Sequence, residues 1–157
     1  MEQLDRKKFI FGSLFLLANK LQAYGDQHLG PDMTTKQWLL TVMISQFQDH
    51  APTLSEVAEL MGSSRQNVKQ LALKLEEKEF LRMEKDAADA RATRLRLTPK
   101  SEAFWEQRQE KDNGFVLNLF KDFSHEEIDV LFKGVQKLFK EIENLERPKK
   151  WPKEAGQ

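Results

Sequence analysis

The sequence predicts a mainly α fold with one small β-hairpin, and three observations carry the prediction. Apolar residues recur at spacings of three and four over most of the 157 residues, the mark of amphipathic helices. Ser or Thr stands three residues before Glu or Gln at several helix starts, the capping-box signature. One central stretch switches to period-two alternation on either side of a short polar loop, as paired strands do. No Gly-rich phosphate loop and no βαβ alternation is present.

The elements follow in order. From about Leu4 to His28, Ile10, Leu14, Leu17, Leu21 and Tyr24 form one apolar row, with Phe11, Phe15 and Ala18 beside it. This face is too wide for a lone surface helix, and Gly30-Pro31-Asp32 ends it. Thr34 with Gln37 caps a second helix, running to about Phe47 with Trp38, Val42 and Met43 on one side. Thr53 with Glu56 opens a short third helix ending at Gly62, and Ser63 with Gln66, or Ser64 as the cap, opens a fourth running to about Glu79. Leu81 and Met83, then Leu95 and Leu97, alternate with polar neighbours across the loop 86–90. Thr98-Pro99 sets a cap before a proline at the first helical position, starting a long helix that turns apolar at Phe115, Val116, Leu119, Phe120 and Phe123. Ser124 with Glu127 caps the last helix, in which Ile128, Leu131, Val135, Leu138, Ile142 and Leu145 form a helix-on-helix seam. The segment 148–157 reads as a loose polar tail.

Composition narrows the function. Hydrophobic residues make up 39% and charged residues 32%, which fits a helix-rich soluble chain. The absence of cysteine excludes disulfides, thiolate metal sites and thiol catalysis. His28, His50 and His125 stand far apart in sequence, so no metal site and no cofactor is expected. No catalytic motif appears, and an enzyme is not expected. The apolar run Phe9–Ala18 is shorter than the roughly 20 residues of a membrane span and lacks a cleavage site of small residues. A cytoplasmic protein with no membrane partner is expected.

The segment Leu54–Leu75 carries the functional signal. Ala58, Gly62, Val68 and Leu71 fall at relative positions 0, 4, 10 and 13. A helix-turn-helix needs a small residue where its helices approach, a glycine in the turn and apolar residues packing back. With Val68, Leu71 and Leu75 inward, Gln66, Lys69, Gln70 and Leu73 face outward, and Ser64, Arg65 and Asn67 ring the first turn. Arg, Lys, Asn and Gln read base edges, while Ser at a helix start suits phosphate. An ordinary helical hairpin with a solvated face has the same spacing. The hairpin that follows favours the first reading: Arg91, Arg94 and Arg96 lie close together, with Arg82 and Lys85 on the opposing strand. A basic hairpin directly after a recognition helix is a wing. The formal charge of 25 − 25 = 0 hides a separation. Gly62–Lys100 holds 10 basic and 6 acidic residues, net +4, and the rest holds 15 and 19, net −4.

Leu54-Ser55-Glu56-Val57-Ala58-Glu59-Leu60-Met61-Gly62, then Ser64-Arg65-Gln66-Asn67-Val68, and finally Asp89-Ala90-Arg91 with Leu95-Arg96-Leu97-Thr98-Pro99-Lys100, resemble the multiple-antibiotic-resistance regulator (MarR) family of transcription regulators. The resemblance implies a winged helix-turn-helix over 34–99, flanked by dimerisation helices at 1–30 and 100–147, in a single domain of 1–147. It implies a homodimer on a pseudo-palindromic double-stranded DNA operator, with half-sites about 34–36 Å apart. It implies a repressor of nearby genes, relieved by a small lipophilic or aromatic ligand. The DNA-binding residues expected are Ser63, Ser64, Arg65, Gln66, Asn67, Lys69, Gln70, Lys74, Lys85, Asp89, Arg91 and Arg94. In the family the arginine matching Arg91 approaches the minor groove, and the aspartate matching Asp89 supports the wing. Tyr24, Met33, Trp38, Phe47 and Phe115 are candidates for the ligand pocket, or else core residues.

The residues also support the dimer directly. Phe9, Phe11 and Phe15 crowd one end of the chain, and six of the 11 Phe lie beyond residue 100. Apolar stripes this wide bury against a symmetric partner or fold into one intramolecular core. Three positions depart from the family pattern. Glu79 stands where a glycine usually closes the recognition helix, Met83 and Glu84 where the wing is usually basic, and Leu73 where a polar residue is commoner. The alternative function is a winged-helix protein-interaction or anti-regulator homologue with weak or no DNA binding.

Overall fold

The computed structural model describes residues 2–146, and the tail expected over 148–157 lies outside them. The element order is α1 (Gln3–Leu29), α2 (Thr35–Ser45), α3 (Leu54–Leu60), α4 (Arg65–Glu77), β1 (Leu81–Lys85), β2 (Thr93–Leu97), α5 (Pro99–Leu119) and α6 (His125–Glu146). The fold is thus mainly α with a two-stranded antiparallel hairpin. The chain divides within α5 into two compact units, one ending at Asp112 and the other beginning at Asn113. No helix among the described residues is long and apolar enough to cross a membrane.

Local chemistry sets the helix starts. Reciprocal capping boxes form at Thr34 with Gln37 and at Thr53 with Glu56. At α4 the cap is Ser64, whose Oγ accepts from Asn67 N–H at 3.1 Å. Ser63 instead donates its N–H to Ala58 O, so the Ser63–Gln66 box does not form. Thr98 accepts from Ser101 N–H at 3.3 Å and starts α5, while Ser124 and Glu127 form the reciprocal pair that opens α6. Helix α5 stops at Leu119, leaving Phe120 and Phe123 in the turn that follows rather than on its face.

In the first unit, Met33, Leu40 and Ile44 from the α2 region, Leu54, Val57 and Ala58 of α3, and Val68, Ala72 and Leu75 of α4 join Phe80, Leu81 and Leu95 in one apolar cluster. Two faces differ from expectation. Helix α2 buries Gln37, Leu40, Thr41 and Ile44, whereas of the apolar set Trp38, Val42 and Met43 the last two are half-buried, Met43 against the core, and Trp38 is exposed. The polar pair tolerates burial because Gln37 Oε1 accepts from Thr34 N–H and Thr41 Oγ1 donates to Trp38 O. On α4, Ala72 rather than Leu71 completes the buried stripe, and Leu71 is half-buried. Met33, a pocket candidate, is likewise in this core.

Two close approaches fix the frame around α4. Gly25 of α1 lies against α2: a Cβ there would meet Thr35 Oγ1 at 2.5 Å. Thr35 uses that contact, donating its hydroxyl to Gln22 O and its N–H to Asp26 Oδ1. At the other end, α4 closes in a Schellman arrangement, with Phe80 N–H donating to Leu75 O and Glu79 N–H to Glu76 O. The residue in the left-handed conformation is Glu79 itself, at φ 61°. A non-glycine residue therefore takes the left-handed position that closes the helix. Thr98 Oγ1 donates to Glu79 O and Lys100 Nζ to Lys78 O, so the end of the hairpin returns to this turn.

The wing is braced from two sides. Strands β1 and β2 pair from Leu81 with Leu97 to Lys85 with Thr93. The link before α3 adds a further rung, with Leu95 N–H donating to Pro52 O and a bridge between Thr53 and Arg94. Arg94, expected among the DNA-binding residues, is drawn inward instead. Its Nε donates to Asp86 Oδ2 and its Nη1 to Ala51 O, leaving the side chain 31% exposed. The N–H groups of Asp89 and Ala88 also donate to Asp86, and Asp89 N–H with Arg94 holds the Asp86 carboxyl down to about 2. Glu56 is likewise lowered to about 2, first by Thr53 N–H and then by His50.

In the second unit, the end of α5 and α6 frame an apolar groove of about 630 Å³, lined by Val116, Phe120, Phe123, Leu131, Phe132 and Val135 among others. The α6 seam residues Leu131, Val135, Leu138, Ile142 and Leu145 are exposed in the single chain. Phe9, Phe11 and Phe15 of α1, in the first unit, are exposed as well.

Two outcomes follow for stability. Glu79→Gly removes the cost of a left-handed non-glycine residue and raises the unfolding free energy by about 1 kcal/mol, read from the denaturation midpoint. Its ion pair with Lys100, at 3.5 Å and exposed, offsets little of this. Asp86 and Glu56 have folded-state values below their ordinary 3.8 and 4.5, so their stabilisation is complete above those ordinary values and is lost as pH falls toward about 2. Melting temperature therefore declines over that interval, and Asp86→Asn lowers it at neutral pH while flattening the acid decline. A variant as steep as the parent would remove Asp86 from this role.

Candidate nucleic-acid interface

Helix α4 is amphipathic in the sense the interface requires. Its inner stripe holds it on the core, and the opposite side carries Arg65, Gln66, Asn67, Lys69, Gln70 and Lys74, all exposed. The turn before it is tight because Gly62 takes φ 58° and Ser63 N–H reaches back to Ala58 O at 2.9 Å. Ser64 is exposed at the helix start, and Ser63 is half-buried. Leu73 is half-buried, not a free outward side chain.

The wing sets its tip next to this face. Arg65 Nη2 donates to Arg91 O at 3.3 Å, linking the first residue of α4 to the loop between the strands. Arg91 is 94% exposed. Asp89 orients it, accepting from Arg91 N–H at 3.0 Å and from Nε at 3.4 Å. Asp89 thus shapes the surface as a support for Arg91. Lys85 is exposed at the end of β1. Arg82 and Arg96 face each other across the strands, and Glu84 Oε2 accepts from Arg96 Nε at 2.9 Å, so part of the wing's positive charge is neutralised.

Of the expected DNA-binding residues, the structure brings the exposed α4 set together with Arg91 and Asp89, and withdraws Arg94 into the brace. Between wing and α3 lies a cleft of about 170 Å³ lined by Thr53, Ser55, Arg65, Asp89, Arg91 and Thr93 among others. Sequence reasoning placed Thr53 as a helix cap and Ser55 within the α3 motif but named neither, nor Thr93, as a site residue, because hydroxyls on α3 and on a strand about 40 residues later carry no shared periodic signal.

The pocket candidates scatter. Tyr24 and Trp38 are at the surface, Met33 is fully buried, and Phe47 packs on the core with its ring edge-on to His50 at 5.6 Å. Phe115 belongs to the second unit and is half-buried.

No protein-family model and no curated protein matches the chain by sequence. Solved structures do. The chain is similar to the transcriptional regulator BldR from Sulfolobus solfataricus, with TM-score 0.76 and 16% identity over 90% of this chain and 99% of that one. It is similar to a MarR/EmrR family transcriptional regulator from Acinetobacter sp. ADP1, with TM-score 0.71 and 19% identity over 88% and 97% of the two chains. A third is S. aureus MepR, solved as a DNA complex, with TM-score 0.73 and 21% identity over 84% and 97%. At these identities the likeness is one of fold, and the fold is the winged helix-turn-helix of MarR-type regulators.

Proposed function

We propose that the protein is a sequence-specific double-stranded DNA-binding transcription regulator of the MarR type, acting as a homodimer. One observation carries the reading. The exposed face of α4, with Gln66, Lys69 and Gln70, lies beside a wing tip whose Arg91 is nearly free in solvent and is tied to α4 through Arg65. Amide side chains on a helix suit bidentate pairing to base edges, and an exposed guanidinium beside them suits the backbone or a narrow minor groove. The fold-level likeness to MepR, solved with DNA, supports the same assignment by analogy.

The dimer rests on the apolar surfaces of the terminal helices. Exposed apolar patches beyond a few hundred Å² mark interaction sites, and the α6 seam with the α1 phenylalanines goes well beyond scattered surface residues. A two-fold pair is the simplest way to cover both. Repression of neighbouring genes in the cytoplasm, relieved by a small lipophilic or aromatic ligand, completes the reading. Tyr24 and Trp38 offer exposed aromatic surface for such a ligand.

A second reading, a winged-helix interaction protein without useful DNA affinity, is favoured by one contact, the Glu84–Arg96 pair that cancels a wing cation. A mobility shift on the DNA upstream of the protein's own gene separates the two. The regulator gives a salt-dependent shift and the interaction protein gives none.

Arg91→Ala weakens binding to all sequences alike and lowers the salt slope by about 1. Gln66→Ala or Gln70→Ala costs about 1–3 kcal/mol at particular base pairs. Operator titrations unchanged by both classes of variant would reject the surface. Sedimentation at micromolar concentration shows a dimer on this reading, and a stable monomer contradicts it.

A further inference from the structure

The hairpin has one edge tied to the helix-turn-helix through backbone and one edge free. Strand β2 lies between β1 and the link before α3, where Thr53 bridges Arg94, so β1 is the outer strand. An outer strand presents N–H groups with no ladder partner. On β1 the N–H of Met83 finds one in α4, donating to Glu76 Oε1 at 2.8 Å. We propose that Glu76 is a positioning residue for the interface: its carboxylate holds the outer edge of the wing to the last turn of α4 and so fixes where Arg91 stands beside that helix.

Glu76 occupies a place where local preferences oppose an acid. The C-terminal end of a helix favours cations, yet α4 ends with Glu76 and Glu77. A carboxylate near a surface that binds a polyanion also lowers affinity by charge alone. The contact with the wing offsets both costs. It is charge-assisted, which makes it stronger than a neutral hydrogen bond, and the Glu76 side chain that makes it is half-buried. Packing is open on this side: a cleft of about 390 Å³, lined by Glu76, Leu81 and Arg82 among others, separates the end of α4 from the base of the wing. Leu81 and Met83 do pack on the core, but apolar contact is non-directional, and the hydrogen bond sets the angle of the strand. Each edge of the hairpin is thus fastened by one charged side chain, Arg94 to Ala51 O on one side and Glu76 to Met83 N–H on the other.

The effect on affinity rests on the DNA-binding reading, whereas the grip itself is measured on the protein alone. Full-length parent, E76A, E76Q, R91A and the E76A/R91A double variant are compared in two arms. E76A removes both reach and charge, and E76Q removes charge while keeping an acceptor oxygen at the same reach. E76D, one methylene short, takes the place of E76A throughout if E76A does not fold. In the first arm the salt dependence of binding to upstream DNA is measured. Charge alone predicts that E76A and E76Q both bind more tightly than the parent. The positioning role predicts that E76A binds more weakly with a salt slope lower by about 0.9, one phosphate contact. E76Q binds at least as tightly as the parent, and the double variant loses no more slope than R91A. An unchanged slope in E76A, an E76Q as weak as E76A, or a further loss in the double variant overturns the proposal. In the second arm amide hydrogen exchange is followed at Met83 and at Asp86, whose N–H donates to Ala92 O in the wing loop. Both exchange about tenfold faster in E76A and at the parent's rate in E76Q. Equal rates in all variants overturn the grip whatever the first arm gives. If the parent binds no DNA, the functional reading fails and exchange decides alone: acceleration confined to the wing and reversed in E76Q supports the grip, and any other pattern overturns it.

Discussion

The Arg94 guanidinium is the tie on which the geometry of the interface depends. A two-stranded hairpin alone is marginally stable in water, and a wing that swings freely would give α4 no fixed neighbour. Here Arg94 joins Asp86 in the wing loop to Ala51 O in the link before α3, and Leu95 adds a backbone rung to Pro52. The hairpin is thereby anchored to the helix-turn-helix through charge-assisted bonds in a partly desolvated position, where they outweigh exposed pairs such as Glu84–Arg96. With the loop held, Asp89 can orient Arg91 and the Arg65 bond can close. Withdrawing one arginine from the surface is what positions another on it.

Much of this was legible in the sequence. Capping boxes place helix starts because a Thr or Ser three residues before Glu or Gln satisfies two orphan N–H groups at once, and both Thr34 and Thr53 do so. The strands showed through Leu81, Met83, Leu95 and Leu97, since side-chain direction alternates along a strand. The outward face of α4 followed from the inward one. Less legible were the contacts that depend on a loop carbonyl. Arg94 and Arg91 look alike in a basic stretch, and only the fold brings Ala51 O and Asp86 to one of them. The buried face of α2 was misjudged for a related reason. Gln37 bonds the cap residue Thr34 and Thr41 the carbonyl of Trp38, so both can be buried, a face that the apolar set Trp38, Val42 and Met43 does not reveal.

Glu79 shows how sequence and backbone can disagree without a change of fold. The left-handed position after α4 is imposed by what surrounds it: Phe80 is anchored in the core, and Thr98 and Lys100 hold the last carbonyls. The local preference of one residue is worth about 1–2 kcal/mol, too little to redirect a turn fastened on both sides. Charge placement bears on the proposed DNA-binding reading in a related way. With a net charge of zero and +4 collected between Gly62 and Lys100, long-range attraction is small, so on the proposed reading binding comes from local contacts repeated by symmetry.

That requirement makes the spacing of protected DNA the most direct measurement of the account. Hydroxyl-radical footprinting of the full-length protein on the DNA upstream of its gene should show two equivalent protected patches on one face of the duplex, centred about one helical turn apart. Each patch should pair a major-groove contact from α4 with backbone protection from the wing. A single asymmetric patch, or protection without this period, would contradict a dimer that presents two braced wings and two α4 helices to successive grooves.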